Sequence, residues 1–87
     1  MNQAILFADI QDWNDELNIV EFYAQNAGTL IECSISKQKL AAISGVREIN
    51  SSNAVNIFLQ YRFDIEEIAE DMIEDEQFNH LDQIQIR

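Results

Sequence analysis

The clearest pattern in the chain is a pair of alternating segments. Over residues 18–24, Val20, Phe22 and Ala24 share one side, and over 29–36 Ile31, Cys33 and Ile35 do. This period of two marks half-buried strands. Between them Gln25, Asn26, Ala27 and Gly28 supply turn chemistry, since Asn and Gly accept positive φ. The pair reads as an antiparallel hairpin with Ala24 opposite Thr29, Phe22 opposite Ile31 and Val20 opposite Cys33. A one-residue slip would bring Phe22 against Leu30 or Glu32 and destroy the match of apolar faces. The other face carries Ile19, Glu21, Tyr23, Leu30, Glu32 and Ser34. Tyr23 and Leu30 lie on it together, an apolar pair open to a strand-mediated or face-mediated contact.

Upstream, residues 3–7 form a short β-prone segment suited to an edge strand. Residues 9–18 are rich in Asp and Asn and read as a loop. Trp13 lies within it, and a lone Trp in a polar stretch folds back onto the core more often than it stacks on a ligand. Downstream, the pattern changes to helical. Ser36 reads as an N-cap, Ile35 and Leu40 as a hydrophobic staple, and Gly45 as the residue that ends a short helix over 37–44. Leu40, Ala41 and Ile43 face inward. Asn50, Ser51 and Ser52 are cap residues for a long helix over 50–77.

In that helix Phe58, Tyr61, Ile65, Ile68 and Met72 make one apolar stripe, flanked by Val55, Leu59, Ala69 and Ile73. Ile57 and Phe63 fall further round, so its first half has apolar groups on several sides and must touch more than one element. Ile84 and Ile86 alternate with Gln83 and Gln85, the pattern of a short strand, in a segment (77–87) that reads equally as a loose tail. The expected fold is α+β, one domain over 1–87. An antiparallel β-hairpin or three-stranded meander is followed by a short helix and a long helix packed on one face.

Composition narrows the function classes. Sixteen acids against five bases give a net charge of −11. Nucleic-acid affinity comes from Lys and Arg displacing counterions, so direct nucleic-acid binding is not expected. Nor is attachment to an anionic membrane surface. The charge suits a basic protein partner. With Cys33 the only cysteine, no internal disulfide forms and no multi-cysteine zinc site exists. The apolar run at Ala4-Ile5-Leu6-Phe7 is too short for a signal peptide or a membrane span, which points to the cytoplasm. A chain of 87 residues buries only roughly 60% of its unfolded surface, leaving room for one core and a shallow pocket.

Three groups of residues carry candidate chemistry. The run from Asp64 to Glu76 places Glu66/Glu70, Glu67/Asp71, Glu70/Glu74 and Asp71/Asp75 as i, i+4 neighbours. A firm divalent-cation site needs oxygens converging from several directions, and one convex helix face does not converge. A solvated face is the stronger reading, with weak metal or small-molecule binding as the alternative. Arg62 stands four residues before Glu66 and pairs naturally with it or with a neighbouring element; the sharper reading is an anchor for an anion or partner. Cys33 reads as a small buried hydrophobe and His80, the only histidine, as a surface residue, so they do not make a Cys-His pair. Gly28 and Gly45 are the only glycines, which excludes a phosphate-cradling loop. No catalytic, cofactor-binding or metal-ligating residue is assigned, and the chain does not read as an enzyme.

Two stretches resemble a known family. One is Met1-Asn2-Gln3-Ala4-Ile5 with Phe7, Asp9 and Trp13, followed by the hairpin ending Ile31-Glu32-Cys33-Ser34-Ile35-Ser36. The other is Gln60-Tyr61-Arg62-Phe63-Asp64-Ile65-Glu66-Glu67-Ile68-Ala69-Glu70. Together they are similar to the small bacterial YrdB-like family, a domain of unknown function, over nearly the whole chain to about Ile73. Members often have proline where Ala8 and Ser51 stand here, and the tail matches poorly. The resemblance implies a compact α+β fold in the bacterial cytoplasm and brings no activity or site. The expected role is a non-enzymatic protein-interaction or accessory module, with a homodimer through its own surface as one form. An acidic mimic of nucleic acid that binds a basic protein is the alternative. The residues expected to meet a partner are Arg62, Glu66, Glu67, Glu70, Asp71, Tyr23 and Leu30.

Overall fold

A computed structural model describes residues 5–87. The elements are β1 (Ile5–Asn14), β2 (Ile19–Asn26), β3 (Thr29–Ser36), α1 (Lys37–Ser44), α2 (Ala54–Gln60), α3 (Arg62–Glu74) and β4 (Ile84–Ile86). The strands form one sheet in the order β1-β2-β3-β4. The first three are an antiparallel meander, and β4 returns parallel to β3. The helices pack on one face of this mixed sheet, so the α+β architecture is as expected.

The hairpin faces are as expected, but the register is tighter by two residues. Asn26 pairs with Thr29, Phe22 with Cys33 and Val20 with Ile35. The turn is only Ala27 and Gly28, at φ 54 and 86. Two successive positive φ values make the mirror-image turn whose twist suits a hairpin. A shift of two leaves every side chain on its own face, so Val20, Phe22, Ala24, Ile31, Cys33 and Ile35 are all buried.

Most of the segment expected as a loop is strand. The expected edge strand over 3–7 begins on Gln3 and Ala4, which lie outside the described residues, and β1 continues to Asn14. Phe7 pairs with Ala24 and Gln11 with Phe22, so Ala8, Asp9 and Ile10 bulge opposite Tyr23. The bulge interrupts the alternation, and polar Gln11 takes an inner-face position, which hides the strand in the sequence. The true turn is short. Asn14 Oδ1 accepts from the amides of Glu16 and Leu17, each at 3.0 Å, and Asn18 takes φ 56. Trp13 packs on the core from β1, with its indole N–H donating to Asp15 at 3.0 Å.

Helix α1 forms as expected. Ser36 Oγ accepts from the Lys39 amide at 3.0 Å, and Gly45 closes the helix at φ 77. The long helix over 50–77 is two helices, broken at Tyr61 (φ −113, ψ 22). The Tyr61 amide is shared between Phe58 O at 3.1 Å and Ile57 O at 3.3 Å. The break answers the apolar pattern: α2 packs under β1 and β2, while α3 packs against β4. One straight rod would not follow both. The entry to α2 also differs, because Asn50 Oδ1 accepts from Ser52 N, and the N-cap Asn53 turns back to Asn50 N, both at 2.9 Å.

Phe58 is the centre of the core, with its ring 5.0 Å from that of Phe22, which stacks in turn on Phe7 at 6.3 Å. Ile65, Ala69 and Ile73 of α3 are buried beside Ile84 and Ile86. The alternation at 84–86 is therefore a strand rather than a tail. No helix among the described residues is long and apolar enough to cross a membrane.

Candidate functional site

Arg62 opens α3 and reaches across to the β1 bulge. Its Nε donates to Glu66 at 2.6 Å, one N–H donates to Asp9 at 2.9 Å, and another donates to the Ala8 carbonyl at 3.3 Å. The Glu66 bond above all, then the nearby charges of Glu66 and Asp9, hold the guanidinium above its ordinary range. The Arg62 side chain is 23% exposed and that of Glu66 16%, against 83% for Asp9. The Glu66 pair is thus the sheltered one, and Asp9 sits where water screens it. Within the chain, Arg62 works as a clamp: it gives the Ala8 carbonyl, displaced by the bulge, a donor.

The remaining expected contact residues divide between two sides of the molecule. Glu67 and Asp71 are exposed along α3 and Glu70 is half-buried there. Tyr23 and Leu30 lie on the sheet face away from the helices, with Tyr23 half-buried and Leu30 67% exposed. Pairing sets the rows of that face: Leu6 beside Gln25 beside Leu30, Tyr23 beside Glu32, and Asp12 beside Glu21 beside Ser34. Burial, then the charges of Glu21, Asp12 and Glu32, push the Tyr23 phenol up. A shallow groove of about 170 Å³ runs over Ile19, Glu21, Tyr23, Glu32 and Gln85. That is smaller than the roughly 300 Å³ at which drug-sized ligand sites begin.

The C-terminal approach to β4 builds a second feature that sequence reasoning missed. Asn79 Oδ1 accepts from Leu81 N at 2.9 Å and Gln83 N at 2.8 Å, and Gln83 Nε2 donates to Glu32 at 2.9 Å. This loop holds Phe78 and Asp82 beside the tip of β3, where they line an open pocket of about 330 Å³ with Asn26, Thr29, Leu30 and Ile31. Asn79 in a polar run was the available signal, since Asn bonds its own local backbone readily. Phe63, 83% exposed on α3, was expected only to fall off the main stripe.

Cys33 is buried, and its thiol is pushed up to about 12, chiefly by burial. At that value the nucleophilic thiolate is scarce near neutrality. His80 is exposed. Among the described residues no group of three or more His, Cys, Asp or Glu side chains is arranged to hold a metal ion.

Comparison with known proteins places the chain. The family described as "Protein of unknown function (DUF1488)" matches residues 5–86, so the likeness extends through the C-terminal segment that was expected to match poorly. The chain is 35% identical to the uncharacterized protein YrdB of Escherichia coli (strain K12) over 77 residues, 87% of each chain. It is 34% identical to the Shigella flexneri YrdB over the same length, again 87% of each. A crystal structure of a protein of unknown function from the same family, from Shewanella loihica PV-4, superposes with a TM-score of 0.91. That match is 40% identical in sequence and covers 99% of this chain and 94% of the other. The structural match and the sequence likeness over 5–86 converge on one assignment: the chain belongs to the DUF1488 family, with the YrdB proteins among its relatives.

Proposed function

We propose that the domain is a non-enzymatic protein-interaction or accessory module of the bacterial cytoplasm, working through the side of the sheet that the helices leave uncovered. The observation that carries this is the row Leu6, Gln25, Leu30, which sets two exposed leucines across three strands beside half-buried Tyr23. Exposed apolar groups gathered on one face mark contact surfaces more than single exposed leucines do. Asp12, Glu21 and Glu32 lie on the same face. A second copy of the chain would set these carboxylates against their own kind, so a basic partner fits better than a homodimer.

Affinity capture with the native protein, compared with Tyr23→Lys and Leu30→Lys, tests the reading. The expected result is a bound protein that both variants lose. An identical set of captured proteins from all three would overturn it. The second reading, a phosphate-mimicking helix, is favoured by the exposed carboxylates of Glu67 and Asp71. It predicts instead a basic, salt-released partner lost on Glu67→Lys and Asp71→Lys.

A further inference from the structure

Strand β4 pairs with β3 only from Cys33 to Ile35, while β3 begins at Thr29. Among the described residues, the outer edge of β3 over 29–32 has no strand beside it. The phase of the ladder shows what this edge offers. Lys37 N donates to Asn18 O at 2.9 Å, just past the end of the β2–β3 register. Hydrogen-bonded pairs recur every second residue, so Thr29 and Ile31 bond inward to β2. Leu30 and Glu32 then turn their backbone groups outward. By this phase Leu30 N–H and C=O and Glu32 N–H point outward from β3, on the side where β4 pairs further along the strand.

The surroundings are those of a strand-binding slot rather than a blunted edge. Phe78 and Asp82 stand beside this half of β3 and line the open pocket of about 330 Å³ with Thr29, Leu30 and Ile31. The Asn79 and Gln83 bonds fix the loop that carries them. Leu30 and Phe78 supply apolar surface. Glu32 and Asp82 supply negative charge within a chain of net charge −11.

We infer that residues 29–32 of β3 accept an extended segment of a partner protein as an added strand. Every second side chain lies on the face of Leu30 and Glu32, and these are in turn an apolar residue set against Leu30 and a lysine or arginine set toward Glu32, with Phe78 and Asp82 beside them. Main-chain bonds to Leu30 and Glu32 give affinity, and alternate side chains give selectivity, as in other strand-addition complexes. This rests on the interaction-module reading and names the edge and the chemistry of the partner.

The test uses the full chain and a short peptide with valine and lysine in turn at every second position and threonine between them. A second peptide has the same side chains but N-methyl groups on alternate backbone amides. Binding is followed by fluorescence anisotropy at moderate salt. The expected result is binding of the plain peptide, weakened at least about tenfold by N-methylation and by Leu30→Pro, which removes the outward N–H from an edge position where proline is tolerated. Asp82→Asn, which removes the charge and tolerates the left-handed backbone at that position (φ 61), is expected to weaken binding by about threefold. Equal affinity for the two peptides overturns strand addition and leaves the module reading standing, because charge alone then explains the binding. No binding of either peptide, with Leu30→Lys still abolishing capture of a cellular protein, overturns the strand and keeps the face. Sedimentation showing a dimer that Leu30→Pro dissolves would replace the partner segment with a second copy and overturn the inference as stated.

Discussion

The sheet ends in two outer edges, and they are finished in different ways. On one side β1 is a ten-residue strand, long enough to recruit another chain. It is interrupted by the bulge at Ala8, Asp9 and Ile10, lined by Asp9 and Asp12, and crossed by Arg62. Bulges and charges are the usual means of blocking edge-to-edge pairing. On the other side β4 protects only Cys33 to Ile35. The first half of β3 is left open, with Leu30 and Phe78 beside it and a hydrogen-bonded loop holding the opening in shape. A sheet that guards one edge and leaves a short length of the other bare has a place for a partner there.

Both edges rest on one core, and the largest effect comes from breaking it. Phe58→Ala should cost about 3–5 kcal/mol, a large share of the 5–15 kcal/mol typical of a small domain. Denaturant unfolding should show it, and amide protection should collapse at both edges together. A loss below about 1 kcal/mol would mean that the two edges are seated on separate cores.

The β4 side has its own reporter in Cys33, which pairs with Ile84. Its thiol is held near 12 in the fold, against 9.0 when unperturbed. A raised folded value means that the stability is fully present below pH 9 and is lost as pH rises toward 12. The slope should be about 1 kcal/mol per pH unit across that window. Cys33→Val should flatten it, leaving the smaller Tyr23 contribution, which acts in the same direction. Thiol-specific reagents should label Cys33 only after unfolding. Rapid labelling of the native protein would contradict its buried placement.

The clamp on the β1 edge should matter less. Arg62→Ala is expected to cost about 1–2 kcal/mol, Glu66→Gln about 1, and Asp9→Asn under about 0.5, since Asp9 is exposed. Amides around the bulge should exchange faster in Arg62→Ala, while those of β3 should be unchanged. A faster β3 edge in this variant would show that the two edges are coupled. The smallest effect is a gain. Ala27 holds φ 54 in the two-residue turn, a conformation that Asn tolerates better. Ala27→Asn should add about 0.5 kcal/mol by thermal unfolding and leave peptide affinity at the β3 edge as it was.

The sequence carried these features unevenly. The β2–β3 hairpin, the Ser36 cap and the Gly45 stop were legible because each rests on local chemistry within a few residues. The strand at 9–14 was not, because its bulge breaks the period and Gln11 stands where an apolar residue would have marked the face. The break at Tyr61 left no glycine or proline to announce it. It arises from what α2 and α3 touch in three dimensions, although the spread of Ile57, Phe58 and Phe63 round the helix already showed that one face was insufficient. Arg62 was readable as an ion-pairing residue through Glu66, but Asp9 lies 53 positions away and nothing local points to it. The open edge of β3 was invisible for the same reason. It exists only through the difference between where β3 begins and where β4 begins to pair.

The comparison of the two edges is tested most directly by residue-resolved hydrogen exchange with and without the lysine–valine peptide. The account predicts that the peptide slows exchange at the Leu30 and Glu32 amides and leaves the outward amides of β1, at Phe7, Gln11 and Trp13, as they were. Protection appearing along β1 with Leu30 and Glu32 unchanged would contradict it.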